Sequence, residues 1–255
     1  MAHDRPVDET QALVIVPTYN EFESIAEVAR RLFDAAGDTV DLLVVDDGSP
    51  DGTAELVKQM TESSHGVHLM ERAGKQGLGT AYVDGFRWAL ERPYWAVVEM
   101  DADLSHDPAD VPRMLETLKD ADLVIGSRYV PGGQVRNWSK VRRALSAAGN
   151  LYARMWLGYD VRDSTSGFRA YRREVLEQAS LSELHSEGYS FQIELTRRVA
   201  RAGGKIVEIP ITFVERVQGK SKMSKRIVIE AMGRVTQWGF HDRFGKGPKE
   251  PDRDG

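Results

Sequence analysis

The chain has no cysteine among its 255 residues, which excludes disulfides and thiolate metal sites and fits a reducing compartment. Long apolar runs are missing too. The stretches at 13–16, 42–45 and 227–229 are far shorter than the roughly 20 residues a membrane-spanning helix needs. Residues 1–10 are polar and lack the apolar segment of a secretory signal, so a cytoplasmic protein is expected. No GxxxxGK(S/T) loop occurs and no GxGxxG follows the first apolar segment, which counts against P-loop and dinucleotide-binding functions.

What is present suffices for one substantial core: 41% of residues are apolar and 29% charged. The net charge of −5 is uneven. Residues 201–255 hold twelve Lys or Arg against seven Asp or Glu, so that end is +5 and the remainder −10. A basic end suggests an anionic partner, either a phosphate ligand or a membrane surface; a solvated basic face is the plainer alternative, and no nucleic acid is expected.

Short β-branched runs alternate with helical periodicity over the first half. Residues 12–16 read as a buried strand ending at Pro17. Asn20 with Glu23 looks like a capping box for a helix whose apolar face carries Ile25, Val28, Ala29, Leu32 and Phe33. Residues 41–45 form the next strand, and Ser49-Pro50 resembles a cap with proline at the first helical position. Further strands are expected near 67–70, 95–100 and 122–126, with helices at 78–90 and from Asp107-Pro108. This alternation predicts a mostly parallel sheet covered by helices, an α/β fold whose ligands sit at the carboxyl ends of the strands. After residue 130 the pattern changes: helices at 140–157 and 187–202, a strand at 205–214, and a last helix at 225–240. Gly, Pro and charge dominate from Gly245, so a loose tail is expected.

Each strand ends in a polar cluster. Asp101 and Asp103 flank one small residue, a spacing that lets two carboxylates face one hard cation that keeps positions open for phosphate oxygens. Acidic pairs also serve as loop polarity, and the residues alone leave both readings open. Asp46-Asp47-Gly48-Ser49 offers a carboxylate to a base or ribose, or is simply a tight turn. Lys75, between glycines, is placed to meet a phosphate. Arg128, Arg142, Arg169, Arg216 and Lys222 are cationic candidates whose convergence would bind a diphosphate and a second phosphate.

Taken in order, residues 16–21 (VPTYNE), 45–53 (VDDGSPDGT), 100–106 (MDADLSH) and 126–129 (GSRY) closely resemble family 2 glycosyltransferases of the polyprenol-phosphate mannosyltransferase group. The segments GKQGLG at 74–79, STSGFR at 164–169, GYSFQ at 188–192 and RVQGKSK at 216–222 extend the resemblance over roughly 13–240. It implies a GT-A fold at 12–241, with a nucleotide-sugar half at 12–130, an acceptor and membrane-side half at 131–241, and flexible ends at 1–11 and 242–255.

It further implies inverting transfer of mannose from GDP-mannose to a polyprenyl phosphate. Pro17, Tyr19, Glu21, Asp46 and Asp47 would line the donor nucleoside pocket. Lys75, Asp101, Ala102, Asp103, Arg128, Arg216 and Lys222 would hold the diphosphate end, with a divalent cation, Mg²⁺ or Mn²⁺, on Asp101 and Asp103. Ser105 stands where some relatives carry a longer third ligand and would act through a water. Arg128, Arg142, Ser146 and Arg169 would seat the acceptor phosphate. Asp103, Arg128 and Arg216 would carry catalysis. A phosphate monoester is already anionic at neutral pH, so no general base is assigned.

A lipid acceptor requires membrane contact. The basic, amphipathic helices at 140–157 and 221–244 would lie on the cytoplasmic face, unless a separate membrane protein supplies the anchor; ordinary core-facing helices are the alternative. A glucosyl donor such as UDP-glucose, a soluble glycan acceptor, and a non-catalytic nucleotide-sugar-binding regulator are the rival functions.

Overall fold

A computed structural model describes residues 11–184, 186, 188–215 and 225–244; for Tyr189 and residues 225–229 it describes the backbone alone. In chain order the elements are β1 (Ala12–Thr18), α1 (Phe22–Ala36), β2 (Val40–Asp46), α2 (Thr53–Ser63), β3 (Val67–Glu71), α3 (Leu78–Leu90) and β4 (Ala96–Glu99). There follow α4 (Val111–Leu118), β5 (Leu123–Ser127), β6 (Gln134–Arg136), α5 (Lys140–Leu157), β7 (Arg169–Arg172) and α6 (Arg173–Gln178). The last are α7 (Tyr189–Arg201), β8 (Ile206–Pro210), β9 (Thr212–Val214) and α8 (Lys225–Phe244).

Seven strands form one sheet in the order β3-β2-β1-β4-β7-β5-β8, and β6 pairs with β9 in a small second sheet. All pairs of the large sheet are parallel except those of β7, which runs antiparallel between β4 and β5. The period-2 alternation of a strand divides the core in two. Val14 and Val16 join Leu42, Val44 and Val98 under α1 and α4. Leu13 and Ile15 join Leu43, Val45 and Val97 under α3 and α7. At Gly85 the helix touches the sheet: a Cβ there would lie 2.8 Å from the Ile15 Cγ2.

Strand β7 was not expected, because arginines at both ends mask a two-residue apolar centre. Two arginines at its junction with α6 complete the layers. Arg172 Nε donates to the Ala121 carbonyl at 2.7 Å and the Leu118 carbonyl at 3.1 Å, closing the end of α4. Arg173 donates to the Leu90 carbonyl at 2.6 Å and to the Arg92 carbonyl, closing the end of α3 on the opposite face. Arg172 ends β7 and Arg173 opens α6, so the dipeptide at this junction satisfies orphan carbonyls on both layers.

Two expected caps are replaced by other bonds, one of them between loops. Helix α1 starts at Phe22, with Glu21 at the N-cap position and no side-chain cap of its own. Its entry is held by the next loop instead: the Phe22 amide donates to Asp51 Oδ2 at 3.1 Å and the Glu21 amide to Thr53 Oγ1 at 3.1 Å. Ser49 does not cap α2, which begins at Thr53. Its hydroxyl and amide both donate to Asp46, at 2.6 and 2.8 Å. The strand expected at 205–214 breaks after Pro210, where the Ile211 amide turns to the Ser127 carbonyl at 3.1 Å. Among the described residues no helix is long and apolar enough to cross a membrane.

Candidate functional site

The parallel strands β1, β2, β4 and β5 all point their carboxyl ends to one edge of the sheet, where backbone pairing stops and side chains are free to converge. At the end of β2, Asp46 is fully enclosed. It accepts from Thr18 Oγ1 at 2.8 Å as well as from Ser49, and so locks the β1 and β2 loops together. Both Asp46 oxygens are thus engaged inside the protein. Asp47 is paired with buried Arg72 at 2.7 Å. Burial raises the Asp47 carboxyl and Arg72 opposes it, with a net upward shift. Arg72 also donates to Thr80 Oγ1 at 2.7 Å, so the glycine-flanked loop at 73–77 is bracketed by a fixed cation. At the rim, Tyr19 is 36% exposed and the Lys75 ammonium lies 4.5 Å from its ring centroid. Pro17 and Glu21 are half-buried beside it.

Beyond β4 the chain turns sharply, with Leu104 at φ 58. The Asp101 side chain is 36% exposed, Ala102 is buried, and Asp103 Oδ1 accepts the Ser105 amide at 3.0 Å. The Ser105 hydroxyl is enclosed and has no hydrogen-bond partner. His106 is buried behind them, its Nδ1 accepting the Asp101 amide at 3.4 Å. Burial pushes the imidazole down to about 4, with Asp103 and Asp163 pulling the other way and Arg128 reinforcing the fall. A neutral ring at physiological pH follows. It stacks on Phe168 at 5.0 Å and meets Phe213 edge-on at 5.4 Å.

Arg128 follows β5 directly. Its Nε and Nη2 grip Asp163 at 2.7 and 2.6 Å, and its backbone amide donates to the same carboxylate at 2.9 Å. The guanidinium lies 5.3 Å from the Trp138 ring centroid and 5.6 Å from that of Phe213. The chain passes close by at Gly133, where a Cβ would sit 2.7 Å from the Ser127 carbonyl oxygen. Arg142, on α5, pairs with Glu215 and lies 4.3 Å from the centroid of the Trp138 ring that Arg128 also approaches. Arg128 and Ser146 line one cavity of about 70 Å³ with Trp138, Leu145, Ile193 and Val235, between α5, α7 and α8.

Arg169 does not belong there. It is fully buried, and its donors go to the Ser166, Ser164 and Gln192 carbonyls and to Thr196 Oγ1 at 2.6–2.9 Å. A guanidinium satisfied by four protein oxygens with no surface cannot meet an acceptor phosphate, which corrects that expectation. Arg216 and Lys222 lie outside the described residues. Arg72, His106, Trp138 and Asp163 were assigned no role from sequence. The one available signal was the acidic residue immediately before the 164–169 segment.

Glycosyl transferase family 2 matches residues 13–179 of the chain, well over half its length. The protein belongs to glycosyl transferase family 2. Two relatives of this family 2 chain are similar over nearly their whole lengths. The undecaprenyl-phosphate mannosyltransferase of Micrococcus luteus is 51% identical over 234 residues, 92% of this chain and 96% of the relative. The polyprenol monophosphomannose synthase of Mycolicibacterium smegmatis is 50% identical over 244 residues, 95% and 91% of the two chains. Among solved structures, glucosyl-3-phosphoglycerate synthase of Mycobacterium tuberculosis with Mn²⁺, UDP and glucosyl-3-phosphoglycerate shares 22% identity at TM-score 0.61. That likeness covers 94% of this chain and 82% of the other. The same synthase with Mg²⁺ and UDP aligns at TM-score 0.60. The family 2 chain therefore has the mostly parallel α/β GT-A architecture expected from its strand–helix alternation.

Proposed function

We propose that this family 2 protein transfers mannose from GDP-mannose to a polyprenyl phosphate, with inversion at the anomeric carbon. The observation that carries the acceptor assignment is the cavity in which Arg128 and Ser146 meet an apolar lining of Leu145, Ile193 and Val235. A cation at an apolar wall suits a phosphate on a hydrocarbon chain and suits a soluble glycan poorly. The names of the two relatives at about half identity support the same acceptor and the mannosyl group.

Tyr19 and Lys75 at the rim, with Asp47 fixed by Arg72, are the donor side of this proposal. Asp101 and Asp103 fit a hard divalent cation through oxygen donors, although no group of three or more acidic or imidazole side chains surrounds them among the described residues. Such a site leaves coordination positions for diphosphate oxygens, and a cation there would supply charge neutralisation for the leaving nucleotide. The neighbouring synthase structures with Mn²⁺ and Mg²⁺ support a divalent ion of either kind. Ser105 is enclosed, so its hydroxyl is the less suitable donor. The acceptor phosphate is itself the nucleophile. What the protein must do is hold two anionic groups in line, and Arg128, Arg142 and Ser146 are placed to do so by positioning and electrostatics.

Membrane contact is supported by α5. Val141 is 78% exposed, and Leu145, Leu151 and Met155 are also exposed. At 3.6 residues per turn these four fall in a stripe about 120° wide, flanked by Lys140, Arg143 and Arg154. The buried residues of α5 are Asn150 and Ala153, so this stripe does not face the core. A peripheral protein on the cytoplasmic face, where a cysteine-free chain needs no oxidising environment, is the corresponding location.

The deciding experiment follows radiolabelled sugar into organic-extractable lipid, using purified protein, polyprenyl phosphate, Mg²⁺ or Mn²⁺, and GDP-mannose beside UDP-glucose. Label from GDP-mannose alone is expected. Label from UDP-glucose would overturn the donor, and nucleotide binding without transfer would favour the regulatory role or a required membrane partner. Asp103→Asn should lower turnover about a hundredfold with the fold intact; wild-type activity would remove the metal assignment.

A further inference from the structure

Asp163 precedes the turn at 164–168 and is fully enclosed, and the reaction proposed above gives it no role. Its oxygens serve Arg128 first, and Oδ1 also accepts from Thr165 Oγ1 at 3.3 Å. Oδ2 accepts the backbone amide of Arg128 at 2.9 Å and its Nε at 2.7 Å, while Oδ1 accepts Nη2 at 2.6 Å. The carboxylate is anchored in turn. Glu208 on β8 accepts the Asp163 amide at 2.9 Å and the Arg162 amide at 2.7 Å, and Ser166 Oγ donates to the Gly126 carbonyl at 2.6 Å. Both ties return to β5 and its neighbour β8, the strands that deliver Arg128. The same Nη2 also donates to Thr165 Oγ1 at 2.9 Å, and Asn150 on α5 donates to that oxygen at 3.2 Å. Asn150 also donates to the Ser146 carbonyl at 3.1 Å. A continuous set of bonds thus runs from the sheet, through Asp163 and Arg128, to the helix that presents Ser146 and Arg142.

We propose that Asp163 is a positioning residue that holds the Arg128 fork in register with α5, so that Arg128 and Ser146 meet the acceptor phosphate together. The proposal rests on the reading of Arg128 and Ser146 as acceptor-phosphate groups. An arginine side chain has four rotatable bonds, and phosphate recognition by its fork is directional, so a bidentate carboxylate behind it removes freedom before the substrate arrives. A second, independent feature agrees: Trp138 and Phe213 flank the guanidinium, restricting it by ring contact where Asp163 restricts it by hydrogen bonds.

The test is steady-state transfer from GDP-mannose to polyprenyl phosphate in detergent, with GDP binding measured in parallel, for wild type, Asp163→Asn, Thr165→Val, Arg128→Ala, and each of the first two combined with Arg128→Ala. Asp163→Asn is expected to raise the KM for polyprenyl phosphate about tenfold or more with an unchanged dissociation constant for GDP. Thr165→Val is expected to move the same constant in the same direction by a smaller factor. Neither should lower kcat/KM further once Arg128 is already alanine, because both act through it. Effects that multiply with Arg128→Ala, or that fall on GDP binding with acceptor KM unchanged, overturn the assignment. If Asp163→Asn does not fold, Thr165→Val decides alone, and an unchanged acceptor KM in that variant overturns it. Absence of transfer by the wild-type protein overturns the functional reading itself and this assignment with it, which separates the two failures.

Discussion

Arg169 and Arg128 stand in comparable motifs, each closing a run of small polar residues, and the fold gives them opposite work. Arg169 is sealed in the core and ties the 164–168 turn to α7 through the Gln192 carbonyl and Thr196. Glu99, enclosed in the same interior, is pushed up to about 8 by burial, with the Arg169 charge opposing the shift. Arg169→Lys keeps a charge but loses the planar fork, and should lower stability by about 2–4 kcal/mol. Urea denaturation measures this, and an unchanged midpoint would contradict the internal role. Asp163 adds a pH-dependent term. Burial alone would raise its carboxyl, but the charge and hydrogen bonds of Arg128, with Arg169 behind, hold it below its ordinary value of 3.8. A carboxyl whose folded value lies below its unfolded one contributes stability above about pH 4 and loses it as pH falls through the folded value. Asp163→Asn should therefore flatten the acid limb of a stability–pH profile, whereas a limb of wild-type steepness would assign it to other carboxylates.

Secondary-structure elements were legible where apolar period and length agreed. The limits of α3 and α5 coincide with those expected, because each has an unbroken apolar stripe and a glycine at one or both ends. The cap assignments failed for a single reason. Asn20 and Ser49 have the right chemistry for local capping, but a carboxylate is the stronger acceptor: Asp51, from the next loop, takes the Phe22 amide, and Asp46, three residues before Ser49, takes the Ser49 amide and hydroxyl. Strand β7 was hidden because four residues with two terminal arginines show no alternation long enough to read. Arg173, the first residue of α6 directly after β7, carries an expectation of its own. Arg173→Ala leaves the end of α3 without the donors it has at the Leu90 and Arg92 carbonyls, and should cost about 1–3 kcal/mol with early loss of protection in α3. Amide hydrogen exchange would show it; uniform exchange across the sheet and helices would place the effect elsewhere.

For the molecule as a whole, exposed apolar side chains and basic charge occur together on α5 and α8. The stripe on α5 and exposed Phe240 and Phe244 on α8, whose rings lie 4.9 Å apart, offer apolar contact to a lipid surface. Basic residues on the same helices supply attraction to anionic headgroups. Binding to phosphatidylglycerol vesicles should exceed binding to phosphatidylcholine vesicles and weaken as salt is raised, since surface charges are screened beyond about 8 Å at physiological ionic strength. Val141→Glu combined with Met155→Glu should reduce vesicle partitioning about tenfold in sedimentation while leaving GDP binding unchanged. Equal partitioning of variant and wild type would mean that a separate membrane protein, not α5, provides the anchor.

The sequence by itself determined the α/β layering, the family, and the edge of the sheet at which the polar clusters gather, because strand and helix periods and the residues ending each strand are local properties. It determined too that Asp101 and Asp103 share a turn and that α5 is amphipathic. Only the tertiary structure decided which side of α5 meets solvent, which arginine is buried, and which carboxylate serves another residue in place of a ligand. Those outcomes depend on burial and on contacts between residues 35 to 84 positions apart, such as Arg128 with Asp163 and Tyr152 with Thr236, and no local pattern encodes them.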